Sequence, residues 1–352
     1  MSKNVLVIGG GPAGVSAAKT LGKLGISTIL VEKEQKLGGR PILEDYHTLI
    51  PRKLKPSQVL GPVIDEVTKN PNVKVKLGTE VEACEGAPGN YKVKLSNGET
   101  VEAGAIIVAT GFQHFNPRRK GELGYGIFPD VITNLELEQM FSRQGKLYRP
   151  SNGQLPKRVA FVFCVGSRDR QLGVSNVHCC RYGCALSGLQ GTEIREHYPD
   201  VDVFCYYMDV RTYGTWEYPF YWAPQEKAGV RYVRGRIAEI TFRPSDGRLV
   251  VKHEDTIVQR PSEVPMDLVV LVLGMEPSEG TKKVAKILGL NQNQDSKFLI
   301  PSDNSGSNII SNKEGIFIAG ACKGPIDIES SMSEGEAAAA EAIAFIGAKV
   351  SV

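Results

Sequence analysis

The chain lacks a marked excess of charge of either sign. Its 42 Lys and Arg residues stand against 39 Asp and Glu residues, which leaves a formal charge of +3. This balance argues against a nucleic-acid partner or a surface that binds anionic membranes. The chain also lacks an apolar run near the roughly 18 residues that a membrane-spanning helix requires, so we expect no membrane insertion.

A secretion signal is also absent from the first residues, MSKNVLVIGGG, which have no basic stretch, apolar core or cleavage site. We therefore expect a cytoplasmic protein. Thiols stay reduced in the cytoplasm, so the seven cysteines favour metal binding or catalysis over a disulfide framework. The length of 352 residues is sufficient for two domains.

A nucleotide-binding motif follows the first predicted strand. The apolar run NVLVIG leads into Gly9, Gly11 and Gly14, which have G-x-G-x-x-G spacing. These glycines allow a tight turn, close approach of a pyrophosphate to the backbone, and close packing of a helix on the strand. Glu32 ends the next predicted strand, where a carboxylate accepts hydrogen bonds from an adenosine ribose.

The surroundings of this motif favour FAD over NAD. Gly38-Gly39-Arg40 follows the acid, AIIVATG ends at Gly111, and GIFIAGA returns near the C-terminus. This arrangement resembles the thioredoxin reductase type of flavoprotein. The resemblance implies an α/β two-dinucleotide-binding-domain flavoprotein. Its FAD domain would be discontinuous, at residues 1–150 and 266–352, and a second Rossmann-like domain that carries a cysteine cluster would be inserted at 151–265. The residues predicted to bind FAD are Gly9, Gly11, Pro12, Ala13, Gly14, Glu32, Lys33, Gly39, Arg40, Ala109, Thr110, Gly111, Gly320, Ala321, Cys322, Lys323 and Ser331.

The C-terminal motif departs from that type of flavoprotein. An Asp usually follows its second glycine, whereas this chain has Gly320-Ala321-Cys322. We expect the polar contact to the flavin ribityl chain to come from the backbone or from Lys323. The serines between 330 and 333 precede a predicted long helix, whose N-terminus would face the flavin and which they would cap.

Four of the seven cysteines lie close together: Cys164, Cys179, Cys180 and Cys184. Even spreading would place roughly 0.4 cysteines in this window, so the concentration requires a cause. Four thiolates satisfy either a 4Fe-4S cluster or a tetrahedral zinc ion. Buried structural cysteines and a redox-active dithiol are the alternatives, although no Cys-x-x-Cys is present and adjacent cysteines form an awkward disulfide.

The cysteine window stands where a second nucleotide loop is expected. After the strand RVAFVF the chain reads Cys164-Val165-Gly166-Ser167-Arg168, without a G-x-G-x-x-G motif. The inserted domain therefore lacks a phosphate-binding loop for NAD(P)H. An iron-sulfur cluster here would provide a one-electron partner for a flavin, whereas zinc would not. Nearby, Asp209 and Arg211 are either a cofactor or interface pair or a structural ion pair.

Several longer motifs resemble the A-type subunit of heterodisulfide reductase. The matching stretches are CVGSR, YYMDVRTYG, GVRYVRGRIAEI, GAIIVATGFQ with YGIFPDVIT, and AGACKGPIDI. The resemblance implies FAD, a 4Fe-4S cluster, a homodimer, and electron exchange with iron-sulfur and disulfide-handling subunits. Two features depart from the family: the adjacent cysteine pair comes before Cys184, and residues 41–56 contain no cysteine. The chain therefore looks most like the short A-type subunit of the bacterial sulfur-oxidising heterodisulfide reductase-like complex.

The expected function is electron transfer in sulfur metabolism, between FAD and a cluster on the four cysteines and onward to partner subunits. The cofactors carry this chemistry, so we assign no catalytic side chain. Two alternatives remain open: a stand-alone NAD(P)H-dependent disulfide reductase, and an FAD-binding scaffold with a structural zinc site.

Overall fold

The computed structural model describes residues 2–171, 173–303 and 306–350, the last three by their backbone. Its strands are β1 (Val5–Ile8), β2 (Thr28–Val31), β3 (Val73–Lys76), β4 (Val81–Ala87), β5 (Asn90–Leu95), β6 (Thr100–Ala103), β7 (Ala105–Val108), β8 (Phe112–His114), β9 (Val131–Thr133), β10 (Arg158–Val165), β11 (Asp202–Tyr207), β12 (Arg231–Arg234), β13 (Ile237–Arg243), β14 (Arg248–Asp255), β15 (Arg260–Met266), β16 (Leu268–Leu273), β17 (Met275–Pro277) and β18 (Ile316–Ile318). Its α-helices are α1 (Pro12–Lys23), α2 (Arg40–Leu43), α3 (Pro56–Lys69), α4 (Asn134–Gln139), α5 (Gly183–His197), α6 (Ala223–Glu226), α7 (Glu279–Leu288) and α8 (Ile328–Val350). None of the described helices is both long enough and apolar enough to cross a bilayer.

The chain forms two compact units. The first contains the described residues of 1–49, 53–113 and 276–352, and the second those of 50–52 and 114–275. The sequence predicts residues 114–150 in the first domain, whereas the structure places them in the second unit. The reason is that β9 pairs in parallel with β16 and so joins the second sheet.

The first unit is built on a five-stranded parallel sheet with the order β18-β7-β1-β2-β3. Every residue of β1 and β7 is buried, as expected for parallel strands that are covered on both faces. Helices α1 and α8 cover one face, and α7 packs on the other. Strands β4, β5 and β6 form an antiparallel sheet, and a turn at Asn97-Gly98 joins the last two.

The second unit repeats this plan. Its parallel sheet has the order β12-β11-β10-β16-β9, and the antiparallel strands β13, β14 and β15 lie in the chain between β12 and β16. Strands β10, β11, β12 and β16 therefore correspond in order to β1, β2, β3 and β7. The two units differ at the first strand-helix connection. Only residues 9–11 separate β1 from α1, whereas residues 166–182 separate β10 from α5.

Candidate functional site

The turn between β1 and α1 has the shape of a phosphate cradle. Gly9 has a φ of +107°, and a Cβ there would lie well inside 3.0 Å of the Ala109 carbonyl oxygen. A Cβ at Gly14 would overlap the carbonyl oxygen of Gly9, so α1 packs directly on the turn. Above Gly11, by contrast, a Cβ would meet only the Gly39 Cα at 3.9 Å. Open space therefore lies over the backbone at the start of α1, where its free N–H groups can meet a pyrophosphate.

Glu32 is fixed at the end of β2 beside this turn. It is only 6% exposed, and its two carboxylate oxygens accept hydrogen bonds from the backbone N–H groups of Gly10, at 2.5 Å, and Glu34, at 2.9 Å. A carboxylate can accept further hydrogen bonds beyond these two. The position therefore fits the predicted contact with an adenosine ribose.

The segment after Glu32 borders the same turn. Gly38 donates its N–H to the Gly10 carbonyl oxygen at 2.8 Å, and Gly39 lies next to Gly11. Arg40 is held within the protein, since it forms an ion pair with Glu44 and donates from Nε to the Phe112 carbonyl oxygen at 2.6 Å. The Lys33 side chain is 56% exposed and lies 3.4 Å from Glu34, so it extends into solvent.

The predicted loop Ala109–Gly111 follows β7 and is held by the start of α7. Ser278 Oγ donates to the Thr110 carbonyl oxygen at 2.9 Å, and Thr281 Oγ1 donates to the Gly111 carbonyl oxygen, also at 2.9 Å. Ser278 also caps α7 by accepting the Thr281 N–H at 3.0 Å. The sequence reasoning missed both residues, although a serine before the helical pattern GTKKVAKIL was an available capping signal.

The C-terminal loop places its side chains differently from our expectation. Cys322 is fully buried, and its sulfur lies 3.4 Å from the Val108 carbonyl oxygen and 3.2 Å from that of Ala319, so its side chain packs in the core. Burial raises the pKa of Cys322 to about 12. Lys323 does not offer a free ammonium group, because Nζ is bonded to Glu334 Oε1 at 2.9 Å and to the Asn308 carbonyl oxygen at 2.6 Å. Glu334 also accepts the Gly320 N–H at 2.8 Å.

Helix α8 begins earlier than predicted. It starts at Ile328, and Asp327 caps it by accepting the Ser330 N–H at 2.8 Å and the Ser330 hydroxyl at 2.7 Å. The predicted capping by the serines between 330 and 333 is therefore wrong, because Asp327 already takes that position. Ser331 is buried, and its Oγ lies near Gly320, on the side of the helix that faces the loop.

The C-terminal ends of β1, β7 and β18 thus bring together three loops of the first unit, at Gly9–Gly14, Ala109–Gly111 and Gly320–Lys323. Ligands of open α/β sheets bind beyond these strand ends. The cradle at Gly11 and the fixed Glu32 carboxylate fit a dinucleotide, and the loops predicted from sequence converge there, although the Lys33 side chain extends into solvent and the Cys322 side chain packs in the core. Ala321 belongs to a short 3-10 turn, Gly320–Cys322, that closes this edge.

In the second unit, the four predicted metal-binding cysteines lie in one connection and the helix that follows it. Cys164 precedes the end of β10, Cys179 and Cys180 lie just before α5, and Cys184 is in its first turn. Cys164 and Arg181 have positive φ angles of 61° and 63°. Such angles are unfavourable for side chains larger than glycine and are concentrated at functional sites.

The four sulfurs are neighbours that affect one another electrostatically. A hydrogen bond from the Cys180 thiol, together with the Arg181 N–H, lowers the pKa of Cys179 to about 6. The same hydrogen bond, burial, and the charges of Cys179, Cys164 and Cys184 raise the pKa of Cys180. Burial raises the pKa of Cys184 to about 12 and also raises that of Cys164. Cys179 is thus the thiol that ionises most readily.

Two arginines and one acid border the sulfurs. Arg168 forms a two-point ion pair with Asp209, in which the second N–O distance is 3.0 Å, and its positive charge acts to lower the pKa of Cys164 against the larger effect of burial. The Nε atom of Arg211 lies 3.5 Å from Asp209. Sequence reasoning named Asp209 and Arg211 as a pair but missed Arg168, which is the closer partner of Asp209.

The donor set fits a thiolate-ligated metal in number and chemistry, because four neighbouring sulfurs are combined with guanidinium groups that offset negative charge. Among the residues that the structure describes, however, no three His, Cys, Asp or Glu side chains are arranged to hold a metal ion. Binding would therefore require thiol side chains to turn towards a common centre.

The connection after β10 has no room for a nucleotide at its first glycine, Gly166. A Cβ at Gly166 would overlap the ring of Phe115, which is fully buried. The neighbouring cavity, lined by Gly166, Ser167 and residues from β10 and β11, measures about 50 Å³. Ligand pockets usually measure about 300–1,000 Å³. The packing at Gly166 thus agrees with the expectation that this connection has no phosphate-binding loop for NAD(P)H.

The fold and the glycine cradle define a dinucleotide-binding oxidoreductase. A family model described as "Pyridine nucleotide-disulphide oxidoreductase" matches residues 3–178, half of the chain. The chain belongs to this family, which makes it an oxidoreductase and supports the predicted FAD.

Curated relatives identify the subgroup that the chain resembles. The second A-type iron-sulfur subunit of CoB–CoM heterodisulfide reductase from Methanopyrus kandleri is 32% identical, over 99% of this chain and 65% of the relative. The A-type subunit of the H2:CoB–CoM heterodisulfide, ferredoxin reductase from Methanothermobacter thermautotrophicus is 31% identical, over 96% of this chain and 63% of the relative. The resemblance to the A-type subunit of heterodisulfide reductase is thereby confirmed. The chain spans less than two thirds of the length of these relatives.

Solved structures confirm the fold class. Thioredoxin reductase from Lactococcus lactis superimposes with a TM-score of 0.67 at 16% identity, over 99% of this chain and all of that one. Thioredoxin reductase from T. acidophilum gives a TM-score of 0.65 at 17% identity, over 97% of this chain and 99% of that one. At identities this low, the match establishes the shared α/β fold alone.

Proposed function

We propose that the protein is the flavin and iron-sulfur electron-transfer subunit of a heterodisulfide reductase-like complex in sulfur metabolism. The observation that carries this proposal is the difference between the two units. The first has a short glycine turn that fits a dinucleotide, whereas the second has four neighbouring thiols in the equivalent connection.

In the first unit, the chain's own residues would bind and orient FAD. The N–H groups at the start of α1, above Gly11, face the open space where a pyrophosphate would lie. Glu32 would accept the ribose hydroxyls, because both its oxygens are already aligned by the backbone. The loop at Ala109–Gly111 is immobilised by Ser278 and Thr281, and that at Gly320–Lys323 by Glu334.

In the second unit, Cys164, Cys179, Cys180 and Cys184 would hold a 4Fe-4S cluster. When bound, such a cluster supplies one-electron chemistry, which complements a flavin. The sulfurs would need to be thiolates, and Cys179 is prepared for this because Cys180, Arg181 and Arg211 stabilise its negative charge. The other three thiols are more deeply buried and would lose their protons on binding metal.

The packing of Phe115 on Gly166 counts against the alternative of a self-contained NAD(P)H-dependent reductase. A pyrophosphate needs close access to a glycine backbone, and the Phe115 ring takes that place. If NAD(P)H reduced the flavin rapidly in anaerobic stopped-flow measurements, the alternative would be favoured.

The names of the relatives support the assignment to a complex. They are subunits of heterodisulfide reductases, and the name of one from Methanosarcina mazei includes ferredoxin. The alignment with the M. kandleri relative runs over 440 positions, more than the 352 residues of this chain, so that relative carries additional residues within the matched region. This supports a compact form like the short A-type subunit. We further propose a cytoplasmic homodimer that works with iron-sulfur and disulfide-handling subunits.

Anaerobic purification followed by metal, sulfide and flavin analysis tests the proposal. We expect one FAD, and about four iron and four acid-labile sulfide per chain. Zinc in place of iron and sulfide would refute the cluster and favour the scaffold alternative. The variant Cys184→Ser should lose most of the iron and keep FAD, whereas Cys205→Ser, at a buried cysteine outside the four, should keep both.

A further inference from the structure

We infer that Glu334 of α8 is a positioning residue for the flavin half of FAD, and that it acts by holding the loop at Gly320–Lys323 in one conformation. The inference rests on the proposed function and assigns one side chain to one half of the same site. Glu334 lies 14 residues beyond Gly320 and is absent from the set of residues that the sequence predicts to bind FAD.

The order of the strands indicates which half of the cofactor this loop meets. In the sheet β18-β7-β1-β2-β3, Glu32 follows β2 on one side of β1, whereas Gly320 follows β18 on the other side. A dinucleotide lies across the strand ends, with its pyrophosphate at the turn after β1. If its adenosine ribose meets Glu32, its other half extends past β7 towards β18. The loop at Gly320–Lys323 therefore borders the flavin half.

The Glu334 carboxylate binds both ends of this loop. Its Oε2 accepts the Gly320 N–H at 2.8 Å, and its Oε1 accepts a hydrogen bond from Lys323 Nζ at 2.9 Å. Asn308 completes the group, since its Nδ2 donates to Glu334 Oε1 at 3.2 Å and its carbonyl oxygen accepts from Lys323 Nζ at 2.6 Å. The side chains of Glu334 and Lys323 are only 15% and 11% exposed, so solvent screens their attraction weakly.

The position of the loop depends on the first of these hydrogen bonds. Gly320 has a φ of +72°, and a Cβ there would lie 2.8 Å from the Cβ of Ala13, so the loop packs closely against the start of α1. Lys323 is the only residue of the loop with a charged side chain, and Glu334 and Asn308 already bind it. The loop would thus meet the flavin half through its backbone. A loop that is ordered before the cofactor arrives avoids the entropic cost of ordering on binding.

The experiment measures two dissociation constants for the cofactor-free full chain, that of FAD by quenching of flavin fluorescence and that of ADP by calorimetric titration. ADP carries the adenosine and pyrophosphate of FAD without the flavin half. In Glu334→Gln the amide keeps one acceptor oxygen, so either the Gly320 N–H or Lys323 loses its partner. We expect the dissociation constant of FAD to rise about 10-fold, and that of ADP to stay within twofold of wild type.

Three further variants complete the comparison. Lys323→Gln removes the ion pair but keeps the hydrogen bond from Gly320, so it should weaken FAD binding by a smaller factor. Glu32→Gln, on the ribose side, should weaken the binding of both FAD and ADP. Glu336→Gln is the matched control, because Glu336 lies on the same helix, is 49% exposed and pairs with Lys19 at 3.1 Å. Its affinities for FAD and ADP should equal those of wild type.

Two results would overturn the inference. If Glu334→Gln weakened FAD and ADP binding equally, Glu334 would support the packing of the first unit as a whole and not the flavin half. If Glu334→Gln bound FAD as tightly as Glu336→Gln does, the loop would not need the carboxylate. A wild-type chain that bound ADP but not FAD is a different outcome, since it would refute the proposed function and the inference together.

Discussion

Replacing Glu32 with Gln should lower both the stability of the first unit and its affinity for FAD. The Glu32 carboxylate accepts one backbone N–H on each oxygen, from Gly10 and from Glu34. An amide retains one acceptor oxygen and presents an NH2 group to the other donor. One N–H in a buried site then loses its partner, which costs about 1–3 kcal/mol. We therefore expect urea unfolding of the cofactor-free protein to show a loss of about 2 kcal/mol.

The effect on FAD adds to this loss. Hydrogen bonds to a charged group contribute about 1.5–3 kcal/mol, and each 1.4 kcal/mol is tenfold in affinity, so the dissociation constant should rise about 10- to 100-fold. Titration of the cofactor-free protein with FAD, followed by quenching of flavin fluorescence, measures this constant.

Glu34→Gln is the control for Glu32→Gln. The Glu34 side chain is 45% exposed and lies 3.4 Å from Lys33, so its ion pair should contribute less than about 1 kcal/mol. FAD affinity should be unchanged in this variant. A Glu32→Gln protein that bound FAD within twofold of the wild-type affinity would refute the assignment of Glu32 to the ribose.

Three further predictions concern packing and charge. A Cβ at Gly335 would overlap the Ala13 carbonyl oxygen, so Gly335→Ala should destabilise the protein by about 1–3 kcal/mol in urea unfolding. As a control, Gly61→Ala, in open space on α3, should stabilise the protein by about 0.5–1 kcal/mol. Equal effects of the two substitutions would contradict the close packing of α1 and α8. Phe115→Ala should cost about 3–5 kcal/mol, because the ring is fully buried, and should not confer NAD(P)H binding as measured by calorimetric titration. Asp169→Asn should cost about 3–5 kcal/mol at pH 7, since it leaves Lys120, at 2.6 Å, without its buried partner. Burial acts to raise the pKa of Asp169, but hydrogen bonds from Lys120, Gln171 and Arg236 lower it well below its usual range. The stability difference between wild type and Asp169→Asn should therefore be complete above about pH 4 and should shrink as the pH falls further. A difference that stayed constant down to about pH 2 would contradict this.

Much of the dinucleotide site could be predicted because its determinants are local. Gly9, Gly11 and Gly14 lie within six residues of one another, and each is required by the geometry of a single turn. Glu32 was identifiable because it ends the next strand. The residues that hold the other two loops could not be predicted in this way. Ser278 lies 168 residues from Thr110, and Glu334 lies 14 residues from Gly320, so neither contact produces a periodic pattern in the sequence.

The sequence predicted the wrong start for α8 and the wrong domain boundary, because the local sequence did not distinguish between alternative positions. Asp327 and the serines after it are all favoured helix caps, and only the packed structure shows that α8 begins at Ile328. The boundary near residue 150 was misplaced because β9 is a short strand separated from the rest of its sheet by α4 and a π-helical turn. A three-residue strand carries too little pattern to reveal its partner.

The sequence by itself determined that the chain has a dinucleotide turn in its first unit and four clustered thiols in place of such a turn in its second. Both features depend on residues that lie close together in the sequence, and the geometry of a strand-turn-helix connection limits which residues can occupy those positions. Only the tertiary structure decided that Phe115 covers Gly166, and that Arg168 and Asp209 pair beside Cys164. Those contacts join segments about 40 to 50 residues apart along the chain, so they depend on how the whole second unit packs around its core.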